Sequence, residues 1–472
     1  MNKFRIQEIS FHERSVNLRL PFRFGVATLT KCPQVHVLVR IQFSNGKEAQ
    51  GCSAEMMVPK WFDKDIKLSN EENIDQLRFA LKTTRDAYLQ DRQFKCSWHH
   101  FIENYDQVIS ICGGNTINPL AASYGPALID RALIDALCHY RNVNFYDCMK
   151  QNLVEIDLKS HKKVNDLSDF DLNKFLSNLT PSVTLAARHT VGLIDPIFRS
   201  ELTSEMPHDG LPVCLEDIVQ FYGHTHYKLK LSGDSEVDIH RLEKIANVIC
   251  DSAQVITLDG NEQYSDVSKF EMFFEKFKTT HALEALFQKT LFVEQPIRRE
   301  QTLSNNVSEI SRFLPLLVDE SDSDLDTFIS AIKLGYTGIS SKSCKGVYKS
   351  IINAARCVQM RERTGAAYFQ SGEDLTMQAG VAVQQDLALV SLLGLSHVER
   401  NGHHYVNGMS AISQKEQEQF HSAYPSLYES SNDVVRLKIK RGQIDLTSLD
   451  CKGFATVHER AQIDWDSMNL VY

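Results

Sequence analysis

Lysines and carboxylates end several apolar segments of this chain, at intervals that could bring them together. Lys228–Lys230, a lysine pair separated by one leucine, ends one segment, and Asp259 and Glu294 end the next two. Asp319–Glu320 and Lys342 end the two segments after those. Oxygen ligands from carboxylates suit Mg²⁺, a hard cation, and the sequence shows no histidine or cysteine cluster suited to zinc. The order of residues therefore predicts a magnesium site with lysines on both sides.

Such a site is suited to removing a proton next to a carboxylate. The cation would stabilise the enolate, while a lysine takes the proton. Lys230 precedes the carboxylates in the chain and Lys342 follows them, so a closed barrel would place the two on opposite sides of the substrate. Desolvation, the neighbouring Lys228 and the metal are each expected to lower the pKa of the base.

The elements that would position these residues are short apolar segments alternating with helical patterns. Such alternation predicts parallel pairing, and eight units predict a closed (β/α)8 barrel with its strand ends at one mouth. The eight predicted strands are Val183–Arg188, Tyr227–Leu231, Val255–Leu258, Leu291–Val293, Leu314–Val318, Gly338–Ser341, Ala366–Phe369 and Ser396–Val398.

The residues before the barrel predict a separate α+β domain. A β-hairpin pattern around residues 35–53 precedes helical patterns that continue to about residue 140. We expect a capping domain over 1–150, a modified TIM barrel over 180–425, and a C-terminal segment over 426–472 that returns to the capping domain. The alternating stretch Val434–Lys440 is predicted to add a strand to that domain.

At this point the sequence resembles the enolase superfamily, and within it the muconate-lactonising-enzyme-like subgroup of the mandelate racemase/muconate lactonising enzyme family. The Lys-x-Lys motif and the later lysine carry the resemblance over nearly the whole chain. Two capping loops and three strand-end signatures support it: Pro21–Thr28, Cys52–Met56, Val293–Pro296, Val318–Ser321 and Lys342–Gly346.

The resemblance implies a role for each residue of the predicted site. Asp259, Glu294 and Asp319 would bind Mg²⁺, or alternatively Mn²⁺, while Lys230 and Lys342 would be the acid/base pair. Sequence position alone leaves open whether Asp319 or Glu320 is the third ligand, since neighbouring strand residues point opposite ways. The expected activity is a racemase or epimerase acting on an amino-acid or hydroxy-acid derivative. A lyase, either a dehydratase or a cycloisomerase, is the alternative, and a non-catalytic ligand-binding barrel is the third hypothesis.

The substrate is expected to be a small carboxylate, and the predicted contacts come from several barrel strands and both capping loops. Dipeptide epimerases of this subgroup carry Asp-x-Asp near the eighth strand, where this chain has the more polar stretch Ser396–His404. That stretch favours a different, more polar substrate, with His403 and His404 interpreted as surface-loop residues. Lys228 is predicted as a third catalytic residue, and the predicted substrate contacts are Phe24, Glu55, His189, Asn261, Glu320, Ser371, Glu373 and Glu399.

Composition excludes other classes of function. A net charge of −9 and a pI near 6.0 argue against nucleic-acid binding. No apolar stretch approaches the length of a membrane span. The eleven cysteines are scattered, without a C-x-x-C pair, which favours free thiols in a reducing cytoplasm. We therefore expect a cytoplasmic enzyme that can form a homo-oligomer.

Overall fold

The computed structural model describes residues 2–25, 27–457 and 463–471; Val26, in the first predicted capping loop, lies outside them. The strands are β1 (Phe4–Phe24), β2 (Ala27–Phe43), β3 (Glu48–Met56), β4 (Thr184–Val191), β5 (His226–Lys230), β6 (Val255–Asp259), β7 (Thr290–Glu294), β8 (Leu316–Val318), β9 (Gly338–Ser341), β10 (Phe369–Gly372), β11 (His397–Arg400), β12 (Tyr428–Ser431), β13 (Val434–Leu437), β14 (Gln443–Asp445) and β15 (Asn469–Leu470).

The helices are α1 (Asn70–Gln90), α2 (Ser97–Gly114), α3 (Pro119–Ala122), α4 (Tyr124–Arg141), α5 (Phe145–Lys150), α6 (Leu172–Ser177), α7 (Leu215–Tyr222), α8 (Ser235–Ile249), α9 (Val267–Thr279), α10 (Glu284–Lys289), α11 (Arg299–Thr302), α12 (Ser308–Ser311), α13 (Thr327–Ile332), α14 (Val347–Thr364), α15 (Val381–Leu392), α16 (Gly402–Tyr405) and α17 (Gln414–Ala423). Short 3-10 helices cover Lys162–Leu167, Arg199–Glu201, His281–Leu283, Ser343–Lys345, Thr447–Leu449 and Trp465–Ser467. No helix in the described ranges is both long and apolar enough to cross a membrane.

The N-terminal domain is an antiparallel sheet, in the order β15-β1-β2-β3, packed against helix α4. Gly51 in β3 permits the close approach of this helix, because a Cβ there would lie 2.2 Å from the carbonyl oxygen of Ala132. Strands β1 and β2 form a long hairpin in which Phe24 pairs with Ala27. The end of this hairpin places Phe22 and Phe24 over the mouth of the barrel, in the lining of its cavity.

The barrel is formed by the parallel strands β4 to β11, taken in chain order, and β11 pairs with β4 to close it. This confirms the predicted (β/α)8 architecture with an N-terminal capping domain. Strand β4 continues to Val191, three residues beyond the predicted end. In the register of the sheet, Lys230 lies beside Asp259 and Asp259 beside Glu294, so their side chains start at the same level.

The C-terminal segment differs in detail from the prediction. Val434–Leu437 does not join the N-terminal sheet but pairs with Tyr428–Ser431 in a hairpin of its own. The contact with that sheet comes later, where Asn469 and Leu470 pair with β1. The alternating pattern predicted the strand correctly. It could not identify the pairing strand, which is the neighbouring segment Tyr428–Ser431.

Candidate active site

A lysine surrounded by carboxylates forms the centre of the barrel mouth. The Nζ of Lys228 lies 2.9 Å from Asp259, 2.7 Å from Glu294, 2.8 Å from Glu373 and 2.9 Å from Glu399. The Lys228 side chain is 1% exposed, so water screens these charges little. Lys228 was predicted as a third catalytic residue; its contacts make it the main counter-charge of the acidic cluster.

The two lysines predicted as acid and base are each held by one of the predicted metal ligands. Lys230 Nζ donates to Asp259 at 2.6 Å, and Lys342 Nζ donates to Asp319 at 2.7 Å. Lys345 Nζ also lies 3.2 Å from the Asp319 carboxylate. Each ammonium is therefore held by a carboxylate at a defined position on its own side of the barrel.

The carboxylates differ strongly in their electrostatic surroundings. Burial, and then the carboxylates of Asp259 and Glu373, raise the pKa of Glu294 far above its usual value. Burial also acts to raise the pKa of Asp319, but the ammonium groups of Lys342 and Lys345 outweigh it and hold that pKa well below normal. Neither buried oxygen of Glu294 accepts a hydrogen bond. Among the described residues, the ion pair with Lys228 at 2.7 Å is the one cationic contact of Glu294, whose oxygens otherwise have no polar partner.

The predicted lowering of the base's pKa assumed a neighbouring metal cation as well as burial, and in this structure the carboxylates around Lys342 act in the opposite direction. Burial lowers the pKa of Lys342, but Asp319 and Glu294 outweigh it, and the net pKa is raised. The pKa of Lys228 is raised for the same reason, by Asp259 foremost. The prediction counted desolvation, a neighbouring lysine and the metal; the carboxylates that contact these lysines add an effect of opposite sign.

The lysines line a small, partly open cavity beneath aromatic side chains. Lys230 Nζ lies 5.8 Å from the ring centroid of Phe22, and Lys342 Nζ lies 4.3 Å from that of Trp61. Phe24, predicted to contact substrate, is part of the same aromatic cover. Since such rings attract cations and exclude water, they keep both ammonium groups in a dry environment.

The loop that carries Trp61 is fastened to the barrel. Arg299 donates to the carbonyl oxygens of Trp61 at 3.0 Å and Phe62 at 2.8 Å, while its guanidinium also pairs with Glu262. From the loop side, Lys64 lies 2.5 Å from the carboxylate of Glu262. This network closes the second half of the cover, and the sequence prediction missed it because Trp61 and Arg299 are 238 residues apart.

The donor set fits a hard divalent cation. Asp259, Glu294 and Asp319 are fully buried, offer only oxygen and follow adjacent strands, and Glu294 has two oxygens free of hydrogen bonds. In this structure the three carboxylates are turned toward lysines instead of converging on a single point. Glu320 lies apart from them: it accepts a hydrogen bond from Asn261 at 3.0 Å. This contact favours Asp319 over Glu320 as the third oxygen donor.

Only some of the predicted substrate contacts reach the cavity. Phe24, Asn261 and Glu399 line it, together with Asp374, Leu375, Thr376 and Asn401. Glu373 and Ser371 lie below it, where Ser371 donates to Glu373 at 2.6 Å and accepts from Arg188 at 3.0 Å. The prediction for Ser371 is therefore corrected, because its hydroxyl is used within the barrel.

Two other predicted contacts lie outside the cavity altogether. Glu55 is fully buried between Arg131, at 3.2 Å, and the hydroxyl of Ser343, at 2.9 Å, so it supports the segment after Lys342 from behind. His189 points away from the barrel interior and contacts His403 at 3.1 Å. In β4 the inward positions are Arg188 and Thr190, which contact Glu373 and Glu399. A one-residue difference on a strand reverses the face, which sequence alone left undecided.

His403 and His404, interpreted as surface-loop residues, are buried instead, with 7% and 1% of their surface exposed. They lie in the short helix α16, which packs against the β1 hairpin. Lys345, which the sequence placed among the strand-end signatures without a role, contacts Asp319 and Asp322. These residues were missed because their environment comes from segments remote in sequence.

Comparison with solved structures confirms the fold. The dipeptide epimerase from Cytophaga hutchinsonii, complexed with Mg and a dipeptide, is 13% identical over 99% of this chain and 99% of its own, with a TM-score of 0.61. The 2-chloromuconate cycloisomerase from Rhodococcus opacus 1CP is 17% identical over 97% and 98%, with a TM-score of 0.58. A mandelate racemase/muconate lactonizing protein from Herpetosiphon aurantiacus is 14% identical over 95% and 98%, with a TM-score of 0.57.

These likenesses confirm the predicted resemblance at the level of the fold: the chain has the capping-domain-and-barrel fold of the enolase superfamily. No protein-family model matches the sequence, and no curated protein matches it. At identities of 12–17% the solved structures establish the architecture, and the chemistry has to be argued from the residues of this chain.

Proposed function

We propose that this chain is an enzyme that removes a proton from the carbon next to a substrate carboxylate, in a reaction that depends on a divalent cation. The observation that carries the proposal is the shared cavity of Lys230, which ends the second barrel strand, and Lys342, which directly follows the sixth. Both are held by buried carboxylates and covered by aromatic rings. Two proton-carrying groups on opposite walls can serve opposite faces of one carbon.

Charge balance favours an anionic substrate. The network around Lys228 contains five carboxylates and five cationic side chains: Asp259, Glu294, Asp319, Glu373 and Glu399 against Arg188, Lys228, Lys230, Lys342 and Lys345. Asp322, which also contacts Lys345, adds a sixth carboxylate, so acidic and basic side chains nearly balance and a divalent cation added to the site would leave a positive excess. A substrate carboxylate would offset part of that excess.

Asp259, Glu294 and Asp319 are the residues that would hold Mg²⁺ or Mn²⁺. When bound, the cation supplies a Lewis acid that stabilises negative charge on a carboxylate oxygen. The residues of the chain do the rest: Lys230 and Lys342 accept and donate the proton, and Phe22, Phe24 and Trp61 exclude water.

Racemisation or epimerisation of an amino-acid or hydroxy-acid derivative is the leading reaction, because each lysine can serve one face of the α-carbon. Elimination or cycloisomerisation is the second candidate. It needs the same pair, with one lysine taking the proton and the other steadying the developing charge. The fold that the chain shares with the 2-chloromuconate cycloisomerase supports this second candidate. Glu399 and Asn401 line the cavity where dipeptide epimerases of the subgroup carry Asp-x-Asp, which favours a substrate other than an ordinary dipeptide.

The test is proton exchange in deuterated buffer. The chain is incubated with Mg²⁺ and panels of N-acyl amino acids, dipeptides, and sugar or hydroxy acids, and mass spectrometry follows deuterium at the α-carbon. We expect exchange that a chelator abolishes and that Mg²⁺ or Mn²⁺ restores. Incorporation into unreacted substrate or its stereoisomer indicates the racemase reaction, whereas loss of a leaving group or ring formation indicates the lyase reaction.

Variants of the two lysines give the decisive control. Lys230→Ala and Lys342→Ala should each lose exchange at one face at least, while Lys349→Ala, a buried lysine beside Asp322, should retain it. If the wild type exchanges and both lysine variants exchange equally well, the assigned roles are wrong. If no carboxylate in the panels exchanges with Mg²⁺ present, the non-catalytic barrel becomes the better hypothesis.

A further inference from the structure

Four buried histidines lie outside the barrel wall, at the seam where its first and last strands meet. His189 is in β4, His224 precedes β5, and His403 and His404 are in α16 after β11. Their exposed fractions are 1%, 1%, 7% and 1%. His189 pairs in register with Arg400, the last residue of β11. The cluster is therefore built from three segments that meet only because the barrel closes.

The cluster is separate from the lysine–carboxylate site. Arg188 and Thr190 point into the barrel, so His189 between them points out. The rings around it are His224, His403 and Tyr222, whose centroids lie within 5.3 Å of one another. Within the described part of the chain, no lysine or carboxylate forms an ion pair with His189, His224 or His403. The nitrogens thus face each other among aromatic rings, with the cationic Arg19 and Arg400 near His403.

The donor atoms of three of these histidines lie close enough together to bind one metal ion. Among the described residues, His189, His224 and His403 are the one group of three potential metal ligands whose donor atoms all lie within 4.8 Å of one another. His189 Nδ1 and His403 Nε2 are 3.1 Å apart. Two nitrogens at about 2.0–2.1 Å from a tetrahedral Zn²⁺ would be roughly 3.3 Å apart. One edge of the site is therefore already at the spacing that a bound metal requires.

His224 supplies the independent sign of a missing partner. Its Nδ1 donates to the carbonyl oxygen of Ala187 at 3.0 Å, which leaves Nε2 as the lone-pair nitrogen. That Nε2 is buried without a hydrogen bond, and the ring centroid lies 5.2 Å from those of both His189 and His403. Metal-bound histidines commonly donate their second ring nitrogen to a backbone carbonyl in this way.

The protonation state agrees with this geometry. Burial lowers the pKa of His224 to about 4, and it also lowers the pKa of His189 and of His403, to which the neighbouring histidines add. Neutral imidazole is the form that binds metals. Nitrogen donors without carboxylates suit Zn²⁺, Co²⁺, Ni²⁺ or Cu²⁺ and disfavour Mg²⁺.

We propose that His189, His224 and His403 bind a divalent transition metal of the Zn²⁺ class, distinct from the cation expected at the barrel mouth. The metal would cross-link the first and last barrel strands through residues 214 positions apart. It would also fix the segment of Glu399 and Asn401, which line the cavity four and two residues before His403. The site is then a structural fastening of the barrel seam.

Zinc uptake tests the proposal directly. The chelator-stripped chain is equilibrated with Zn²⁺ in excess Mg²⁺, which occupies oxygen sites, and bound zinc is counted by mass spectrometry after desalting. We expect one zinc per chain, lost in His224→Gln and in His403→Gln. His100→Gln is the matched control: His100 is also fully buried, but it bonds the Phe4 carbonyl in the capping domain.

Two further measurements decide cases in which a variant folds poorly. X-ray absorption of zinc in the wild type should show imidazole nitrogens in the first shell, and Co²⁺ should give the intense visible bands of a low-coordinate nitrogen site. Glu294→Gln should keep its zinc. If the wild type takes up no zinc, if the first shell is oxygen only, or if Glu294→Gln removes the zinc, the proposal is overturned. The first of those results would mean that His189 and His403 merely share a proton.

Discussion

Replacement of Lys228 by methionine tests the electrostatic account of the barrel mouth most directly. The side chain keeps its length but loses the ammonium that lies 2.7–2.9 Å from four carboxylates. At an effective dielectric constant of about 20, each contact is an attraction of about 6 kcal/mol, most of which offsets desolvation. Removing one partner of such a buried network costs about 3–5 kcal/mol, because the remaining charges lose their compensation.

That loss converts to a measurable shift. With 472 residues and about 2.1 cal/mol/K per residue, the unfolding entropy is about 1 kcal/mol/K, so Tm should fall by about 3–5 °C. The measurement is unfolding by denaturant and by heat, each with a chelator and with Mg²⁺. We expect Mg²⁺ to stabilise Lys228→Met more than it stabilises the wild type, since the cation replaces the missing positive charge among the same carboxylates.

Lys349→Met is the control for this experiment. Lys349 is also buried and contacts Asp322, with its Nζ 2.9 Å from the carbonyl oxygen, but it lies outside the lysine–carboxylate network of the mouth. It should lose stability without gaining any additional response to Mg²⁺. The reasoning is refuted if Lys228→Met unfolds at the same denaturant concentration as the wild type in chelator. Equal stabilisation of both proteins by Mg²⁺ would refute it as well.

Three other changes follow from single features. Burial, opposed by Arg131, raises the pKa of Glu55 from 4.5 to about 7, so stability should fall by about 3 kcal/mol as pH rises across that interval. Glu55→Gln cannot ionise and should flatten this part of the pH–stability profile; an unchanged slope would contradict the pKa. Gly51→Ala should lower the free energy of unfolding in denaturant by about 1–3 kcal/mol, because its Cβ would lie 2.2 Å from the backbone of α4. Gly113→Ala is the control and should not destabilise the fold, because no atom lies within 4 Å of its Cβ. Trp61→Ala should slow proton exchange by about 30-fold, because it removes a desolvated cation–π contact with Lys342 worth about 2 kcal/mol. An exchange rate equal to that of the wild type would show that Trp61 has no part in the reaction.

The sequence alone determined the barrel and the position of the candidate site at the ends of its strands. Strand and helix patterns predicted the eight strands because burial imposes a periodicity that survives in the residue order. The ends of those strands then placed Lys230, Asp259 and Glu294 side by side, as the register of β5, β6 and β7 shows. The capping domain was equally readable, since its hairpin and helices are local in sequence.

Only the tertiary structure decided which side chains face the cavity and what surrounds them. His189 and Ser371 were predicted to contact substrate, but the exact face of β4 and the contacts of Arg188 direct them elsewhere. Lys228 has four carboxylate partners from four separate segments, which together raise its pKa against the effect of burial.

The same limit explains the histidines at the barrel seam. His189, His224 and His403 are separated by long stretches of sequence, and no local pattern marks them as a group. Closure of β11 on β4 brings them together, because pairing at the seam is a long-range contact. Residue types at strand ends, fixed by local periodicity, predicted the lysine–carboxylate site; the meeting of remote segments, fixed by barrel closure, created the histidine cluster.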